Sequence, residues 1–342
     1  MAQWAWSALW ILLVLGIAVA CAASLEWCAR LRAEGEYPPQ GRMIEVGRSR
    51  LQLQCIGRGS PTVVFESGLD TLGSLSWSTV QPQVGATTRA CSYSRAGLLW
   101  SERARSGPFD ARQSAGRLRE LLQRAGEAPP FVMVGHSLGG AYVLIFTQLF
   151  SEDVKGLVLV DPSHPDQIAR FGAVFGETDP PKVPTQLRLA ARFAWTGIAR
   201  ALPELKSNPA VATASRAIAD AYRGASVQGL VSEQEHMPLS LSEAGQHRTL
   251  GARPVNVLSS ARTESAEDLQ ALGWTADEAR RFQSILLALH DDEASWSSRG
   301  RHEVVADASH YLQFDRPDRV VHAIREVVDD VRADQRAAVE RR

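Results

Sequence analysis

Residues 131–140 of the chain are Phe131-Val-Met-Val-Gly-His-Ser-Leu-Gly-Gly140, an apolar run that enters a Gly-x-Ser-x-Gly turn. Four consecutive apolar residues before Gly135 are typical of a strand buried in a parallel sheet. The turn is followed by the apolar helical segment 138–150. A serine between such a strand and helix lies at a helix N-terminus, where the dipole favours a developing negative charge. Ser137 is therefore the candidate nucleophile, and the Leu138 N–H is a candidate oxyanion donor.

Strand-like and helical segments alternate on both sides of this turn. The alternation predicts an α/β fold, with a mostly parallel central sheet and helices on both faces. The predicted strands are 43–46, 51–55, 61–65, 89–93, 131–134, 156–160, 254–258 and 302–306, and the predicted helices are 110–124, 138–150, 276–290 and one after Pro317.

The alternation stops between residues 162 and 250, where helical patterns are interrupted by prolines and no strand pattern is visible. This predicts a helical cap inserted into the sheet domain. The expected organisation is an N-terminal anchor at 1–30, a linker at 31–42, a core at 43–161 and 251–342, and the cap at 162–250.

A serine hydroxyl needs a base that removes its proton. His302 and His310 are predicted to flank the last strand, about 26 Å apart at 3.3 Å per residue. Ligands bind at the carboxyl ends of the strands in open α/β sheets, and His310 is expected at that end. We therefore expect His310 to be the base.

Two carboxylates are candidates for the acid that orients the base. Asp161 directly follows the strand 157–160, so the sheet would position it. Glu264 comes six residues after the strand 255–258, on a loop. The sequence favours Asp161 and leaves Glu264 as the alternative.

The N-terminal segment has no charged residue from Trp4 to Leu25, and about 20 apolar residues suffice to span a bilayer. This predicts an uncleaved single-pass anchor in the cell membrane. A cleaved signal peptide normally begins with a basic residue, which is missing here, and lipidation at Cys21 stays open.

The side of the membrane on which the catalytic domain lies is not determined by the sequence. Arg30, Arg32 and Arg42 favour the cytoplasm. A disulfide between Cys55 and Cys91 is possible if the domain is exported.

The formal net charge of -1 gives no electrostatic reason to expect nucleic acid as a partner. No pair of histidines has the spacing of a metal site, and the expected chemistry needs no cofactor.

Several stretches resemble the α/β-hydrolase superfamily, specifically its bacterial, lid-bearing, esterase- or lipase-like serine hydrolases. The most specific are Val134-Gly-His-Ser-Leu-Gly-Gly140, Leu157-Val-Leu-Val-Asp-Pro-Ser-His164 and Ser309-His-Tyr-Leu-Gln-Phe-Asp-Arg-Pro317; Pro61-Thr-Val-Val-Phe-Glu-Ser-Gly-Leu69 and Tyr93-Ser-Arg-Ala-Gly97 support them.

The resemblance implies that the Leu69 N–H is the second oxyanion donor, that the cap covers the site, and that Asp161 is the acid. Two residues depart from the family pattern: Ser94 replaces the usual Asp, and Leu99 replaces a usual Gly. Relatives that act on epoxides or carbon–halogen bonds have Asp at the turn, so Ser137 excludes that chemistry.

The expected function is hydrolysis of a small-molecule carboxylic ester through an acyl-enzyme, with an apolar acyl group. The first alternative is an aminopeptidase or amidase on the same triad, in which Glu233 or Glu235 would hold the substrate amine. The second is a non-catalytic ligand-binding protein of the same fold.

Overall fold

The computed structural model describes residues 2–104, 110–176, 182–201, 211–263, 265, 267, 269–270 and 273–341. The strands are β1 Arg42–Val46, β2 Ser49–Ile56, β3 Thr62–Glu66, β4 Ala90–Tyr93, β5 Phe131–His136, β6 Val154–Val160, β7 Gly251–Ser260 and β8 Ser297–Val305. The helices are α1 Ala2–Glu36, α2 Gln81–Gly85, α3 Ala111–Ala125, α4 Leu138–Leu149, α5 Gln167–Phe175, α6 Thr185–Arg192, α7 Thr213–Ala221, α8 Arg223–Ala244, α9 Ala276–Ser295, α10 Leu312–Asp315 and α11 Pro317–Glu340, with 3-10 turns at Gly73–Trp77, Ala194–Thr196 and Ile198–Ala201.

The strands form one sheet in the order β1-β2-β4-β3-β5-β6-β7-β8. The pairs β1–β2 and β2–β4 are antiparallel, and the remaining pairs are parallel. The predicted α/β fold class is thus confirmed. β4 follows β3 in sequence and lies on one side of it, whereas β5 lies on the other side. The strand order therefore reverses between β3 and β5. Ligands bind at such reversals in open α/β sheets.

The central strands bury both faces, and their side chains alternate between two apolar clusters. In β5, Phe131 and Met133 join the cluster that contains α3, α4 and part of α8. Val132 and Val134 join the cluster on the opposite face, which is covered by α2 and α11. Fully burying one such side chain stabilises the fold by roughly 1.5–3 kcal/mol, so these faces hold the sheet rim in place.

The helix ends follow local sequence signals. Asp110 Oδ1 accepts a hydrogen bond from the Gln113 N–H at 2.8 Å, which caps α3 as its sequence predicts. Gly126 ends α3 with a φ of 80°, a left-handed conformation that glycine adopts without steric cost. Thr275 and Glu278 form a reciprocal capping box at the start of α9.

Residues 162–250 lie between β6 and β7 and contain α5 to α8 and two of the 3-10 turns. Their described residues include no strand. We refer to this segment as the helical insertion. Its longest helix, α8, packs against α4 and α6. It also reaches the loop after β4, where Ser226 accepts a hydrogen bond from the Leu99 N–H.

The N-terminal helix differs from its expected bounds. It runs without a break from Ala2 to Glu36, so its last turns lie in the segment 31–42 that was expected to be a linker. Only residues 37–41 separate it from β1. The helix is long and apolar enough to cross a membrane, and its most apolar window has a mean hydropathy of 2.2.

Candidate active site

The backbone at Ser137 has the sharp turn that the Gly-x-Ser-x-Gly pattern predicts. Its φ is 53° and its ψ is -127°, an uncommon conformation for a residue with a side chain. A Cβ on Gly135 would lie 2.5 Å from the Gly139 carbonyl oxygen, and one on Gly139 would lie 2.5 Å from the Ser67 carbonyl oxygen. Both contacts are too short for any side chain. Glycine at these two positions therefore allows the turn that exposes the serine at the end of β5.

The loop after β3 runs directly against this turn. A Cβ on Gly68 would lie 3.0 Å from Ser137 Cβ, so Leu69 follows at a point of close approach. Leu138 is the first residue of α4, and the first N–H groups of a helix have no acceptor within the helix. The two N–H groups predicted to bind an oxyanion thus belong to the two segments that meet at Ser137.

Asp161 and His310 are joined directly, although 149 residues separate them in sequence. His310 Nδ1 lies 2.6 Å from Asp161 Oδ2. The carboxylate is 2% exposed and also accepts hydrogen bonds from the Ser260 N–H and hydroxyl, at 2.8 and 3.0 Å. Burial opposes ionisation of Asp161, but the hydrogen bond and charge of His310 outweigh it and hold the pKa below its ordinary value. Asp161 is therefore an ionised hydrogen-bond acceptor.

The sheet register explains this meeting. Val160 pairs with Leu258 across β6 and β7, and the Asp161 N–H donates to the Leu258 carbonyl at 2.7 Å. The φ of Asp161 is 44°, which turns the chain at the strand end. Ser260, two residues beyond Leu258, then faces the carboxylate. Neighbouring parallel strands thus position Asp161.

His136, the residue before Ser137, holds His310 beside the serine turn. Its Nε2 lies 2.8 Å from the His310 carbonyl oxygen, and the two ring centroids are 4.7 Å apart. Because burial and then the charge of His310 lower the pKa of His136 to about 3, the ring is neutral, and its Nε2–H donates to that carbonyl.

The His310 side chain is 47% exposed, so its second nitrogen is accessible from outside. No hydrogen bond joins Ser137 to His310 in the described part of the chain. In unliganded enzymes such catalytic hydrogen bonds are often long and tighten when substrate binds.

The expected position of His302 is wrong. It was predicted at the start of the last strand, but β8 begins at Ser297, so His302 lies within that strand and pairs with Val257. Its Nε2 lies 2.7 Å from Ser259 Oγ, which is 2.6 Å from Nδ1 of His290. The strand begins earlier than predicted because Ser297 to Arg301 pair with β7 despite their polar side chains.

His290 is fully buried behind Asp161. Its Nε2–H donates to the Pro162 carbonyl at 2.9 Å, and its Nδ1 lies 4.0 Å from Asp161 Oδ1. Burial lowers the pKa of His290 to about 4, so the ring is neutral near pH 7. No sequence signal predicted this contact, because His290 and Asp161 are 129 positions apart and no motif joins them.

Arg95 is a buried residue to which sequence reasoning assigned no role. Its guanidinium pairs with Glu66 at 2.6 Å and with Glu233 of α8 at 2.7 Å. It also donates to the carbonyls of Ser67 and Gly68, at 2.6 and 2.7 Å. Arg95 therefore links the loop beside Ser137 to the helical insertion. The one available signal was a charged residue inside the Tyr93-Ser-Arg-Ala-Gly97 stretch.

The two departures from the family pattern lie in this same region. Leu99 has a φ of 46°, which explains why glycine is usual there, and its N–H donates to Ser226 of α8 at 2.9 Å. Ser94 Oγ donates to Gln52 at 3.0 Å within the buried loop. The loop after β4 is thus tied to α8 at more than one point.

The alternative acid, Glu264, lies outside the described residues. His164 is buried, with Nε2 3.1 Å from Asp292, and it packs on Trp296. It therefore belongs to the contact between the helical insertion and α9.

Cys55 and Cys91 form a disulfide between the paired strands β2 and β4. Together with Glu127 they are the one group of metal-ligand side chains that lie within 4.8 Å of one another among the described residues. The sulfurs are joined to each other, and Glu127 pairs with Arg89 at 2.6 Å. All three side chains are thus already engaged, the two cysteines in a cross-link and Glu127 in an ion pair.

Residues 63–323 match the alpha/beta hydrolase family. The chain belongs to this family. The match begins in β3 and ends in α11, so it includes every strand end discussed above and excludes α1. The resemblance of the sequence to the α/β-hydrolase superfamily is therefore confirmed.

Solved structures of other family members have the same fold. A thermophilic esterase from Thermogutta terrifontis aligns with a TM-score of 0.60 and 18% identity, over 85% of this chain and 99% of the esterase chain. The epoxide hydrolase CorEH aligns with a TM-score of 0.58 and 17% identity, over 85% of this chain and 98% of its own. Identities this low show the shared fold alone.

A relative in sequence is the uncharacterized protein YqjL of Bacillus subtilis, which is 31% identical over 107 residues, or 31% of this chain and 42% of YqjL. The matched segments span only 15% to 42% of the curated relatives' own lengths.

Proposed function

We propose that this alpha/beta hydrolase cleaves carboxylic esters through an acyl-enzyme, with Ser137 as nucleophile, His310 as base and Asp161 as acid. The observation that carries the proposal is the 2.6 Å contact between His310 and the buried Asp161, at the sheet edge where Ser137 follows β5. Membership of the family and the fold shared with an esterase support it.

The proposed reaction uses His310 twice. Its Nδ1–H donates to Asp161, so its Nε2 accepts the Ser137 proton as Oγ attacks the ester carbonyl carbon. The N–H groups of Leu138 and Leu69 would bind the resulting oxyanion. The tetrahedral intermediate then releases the alcohol, which takes the proton from His310. Water attacks the acyl-enzyme by the same route and releases the acid.

An ester is favoured over an N-terminal amine substrate because the two candidate amine ligands are already paired. Glu233 is buried against Arg95, and Glu235 pairs with Arg188 at 2.9 Å. A substrate amine would have to displace a guanidinium from either carboxylate. Breaking the buried Glu233 pair typically costs about 3–5 kcal/mol, whereas the half-exposed Glu235 pair is worth at most about 1 kcal/mol.

Labelling with a fluorophosphonate probe tests the nucleophile. We expect the full-length protein in membranes to be labelled, and Ser137→Ala to lose the label entirely. Ser163→Ala is the matched control, because Ser163 lies at the same strand ends, with its N–H on the Ser137 carbonyl, and has no proposed chemical role. An unlabelled wild-type protein, or label that survives Ser137→Ala, contradicts the proposal.

A substrate screen then separates esters from amides. We expect p-nitrophenyl esters to be hydrolysed faster than amino-acid nitroanilides, with a preference for longer acyl chains. The reverse preference would favour the aminopeptidase alternative, and binding without turnover of either class would favour a ligand-binding protein.

We further propose that α1 anchors the protein in the cell membrane and that the catalytic domain faces an oxidising compartment. The disulfide between Cys55 and Cys91 supports the second point, since disulfides persist in oxidising compartments. Arg30 and Arg32 favour the opposite side, but the positive-inside bias is weak for long domains.

Thiol counting tests the orientation. Cells are quenched with an alkylating agent before lysis, and the protein is then denatured and labelled with maleimide-polyethylene glycol after reduction. We expect two masked cysteines in the wild type and none in the Cys55→Ser/Cys91→Ser variant. Four alkylated thiols in the wild type would place the domain in a reducing compartment.

A further inference from the structure

The helix α1 changes character at Glu26. The described side chains from Trp4 to Leu25 are exposed, except for two half-buried alanines, and none is charged. These 22 residues extend about 33 Å as a helix, close to the roughly 30 Å of bilayer hydrocarbon. In a helix that spans a bilayer over this length, Glu26 lies at the boundary between hydrocarbon and headgroups.

The helical insertion contacts α1 at Glu26. The Glu26 side chain is 1% exposed and pairs with Arg200 at 2.6 Å and with Arg30 at 2.8 Å. A Cβ on Gly224 would lie 2.6 Å from Glu26 Oε1, so the backbone of α8 passes directly beside the carboxylate. These contacts fix the segment 194–201 at the membrane boundary.

Four large apolar side chains point outward from this segment and from the adjoining end of α6. We call them the interface patch: each is between 41% and 50% exposed, and they are Leu189, Phe193, Trp195 and Ile198. The neighbouring Ala191, Ala194 and Ala199 are buried in the helical insertion. The segment therefore has an inner apolar face that is packed and an outer apolar face that is not.

Basic side chains surround a groove beside the interface patch. This groove has a volume of about 540 Å³ and is lined by Arg103, Arg188 and Arg192 together with Leu189 of the patch; Glu235 is its one acidic residue. Aromatic and aliphatic side chains next to arginines are typical of surfaces that lie in the headgroup region of a bilayer.

An apolar cluster connects α1 to the candidate active site. Ala33, one turn before the end of α1, packs with Trp100 and Phe314, and Tyr311 beside His310 lies against the same cluster. The anchor, the interface patch and the site are therefore parts of one packed assembly.

We propose that the interface patch inserts into the headgroup region of the bilayer that α1 spans, so that the helical insertion rests on the membrane and takes apolar esters from it. This inference rests on the proposed membrane anchoring, and its second part on the proposed esterase activity.

Spin labelling of the full-length protein in anionic lipid vesicles tests the insertion. Cys21 and Cys28, the free cysteines, are replaced by serine, and a nitroxide is attached at Trp195→Cys, Val14→Cys or Val339→Cys. Val14 lies in the proposed span, and Val339 is an apolar residue of α11 with 74% exposure. Collision rates with oxygen and with a water-soluble nickel chelate are measured for each label.

We expect the oxygen-to-nickel ratio at position 195 to be at least about five-fold higher than at position 339, because oxygen concentrates in lipid and the chelate in water. A ratio at 195 equal to that at 339, with a lipid-like ratio at 14, would overturn the insertion and leave the anchor intact. A water-like ratio at 14 would overturn the anchor and the insertion together.

Activity measurements test the delivery of substrate. In the Phe193→Ser/Trp195→Ser variant, we expect kcat/KM to fall about ten-fold for a long-chain ester dissolved in the vesicles and to change less than about two-fold for a water-soluble ester. An equal change for both substrates would overturn delivery from the membrane. If the wild type hydrolyses neither ester, the proposed activity fails, whereas the spin-label result still decides the insertion.

Discussion

The carboxyl edge of the sheet and the helical insertion are held in place by different forces. At the sheet edge, Asp161 and Ser260 face each other because β6 and β7 pair in register. The insertion has no strand among its described residues and is tied to the core through buried charges such as Arg95–Glu233. The carboxylate of the candidate triad is therefore positioned by backbone register, whereas the insertion is held by side chains: the apolar packing of α8 on α4 and a few long-range charged pairs.

The largest effect is expected at the sheet edge, from Asp161→Asn. The amide would still accept from Ser260, but its NH₂ group would face His310 Nδ1 and force the wrong tautomer. If the proposed triad operates, kcat falls about 10⁴-fold with the fold intact, as for the equivalent change in known serine triads. Steady-state ester hydrolysis measures kcat, and a circular dichroism spectrum shows whether the fold is intact.

The control for this change is Glu264→Gln, which removes the alternative acid. Near-wild-type kcat is expected there. A large loss in Glu264→Gln together with an active Asp161→Asn would show that Glu264 is the acid, and that backbone register does not position the triad.

The next effect concerns the helical insertion. Glu233→Gln leaves the buried Arg95 with one carboxylate fewer, and we expect the free energy of unfolding to fall by about 3–5 kcal/mol. Glu235→Gln, two residues along the same helix, breaks a pair that is about half exposed, and we expect a loss of at most about 1 kcal/mol. Urea unfolding of the full-length protein in detergent micelles compares the two variants.

If both variants lose the same small amount, the buried pair does not hold the insertion in place. Hydrogen exchange adds a local measurement, because faster exchange in α8 than in β5 is expected for Glu233→Gln if the insertion detaches before the sheet unfolds.

The smallest expected effect is a pH dependence that comes from His290. Its pKa is about 4 in the folded protein, against an ordinary value of 6.5, so between these pH values the unfolded chain binds a proton that the folded chain does not. His290 therefore contributes stability that is complete above pH 6.5 and decreases as the pH falls toward 4, by up to about 3 kcal/mol.

The measurement is the difference in unfolding free energy between wild type and His290→Gln at pH 7 and at pH 4.5. Other titrating groups, including Glu293, whose pKa burial raises well above its ordinary value, contribute to both proteins and largely cancel in the difference. We expect the wild type to lose more stability than His290→Gln over this range. Parallel pH profiles would contradict the assignment of a neutral, buried imidazole behind Asp161.

The sequence predicted the bounds of β8 and of α1 wrongly, for a different reason in each case. Strand existence followed from short apolar runs, but β8 was placed five residues late because its first half is polar and is held by pairing with β7. His302 was consequently misplaced. The end of α1 was predicted too early because its last turns are polar. These turns pack against the insertion, and a local sequence pattern does not predict such a contact.

The sequence by itself determined the serine turn, the α/β fold class and the apolar N-terminal helix, since each depends on residues close together in the chain. The preference for His310 over His302 as the base stays a prediction. Only the tertiary structure showed the pairs Arg95–Glu233, across 138 positions, and Glu26–Arg200, across 174. For Asp161, which the sequence favoured over Glu264, the structure supplied the contact with His310. The physical reason is that a buried charge is stable only beside its partner, and the partner's identity is set by the folded path of the chain.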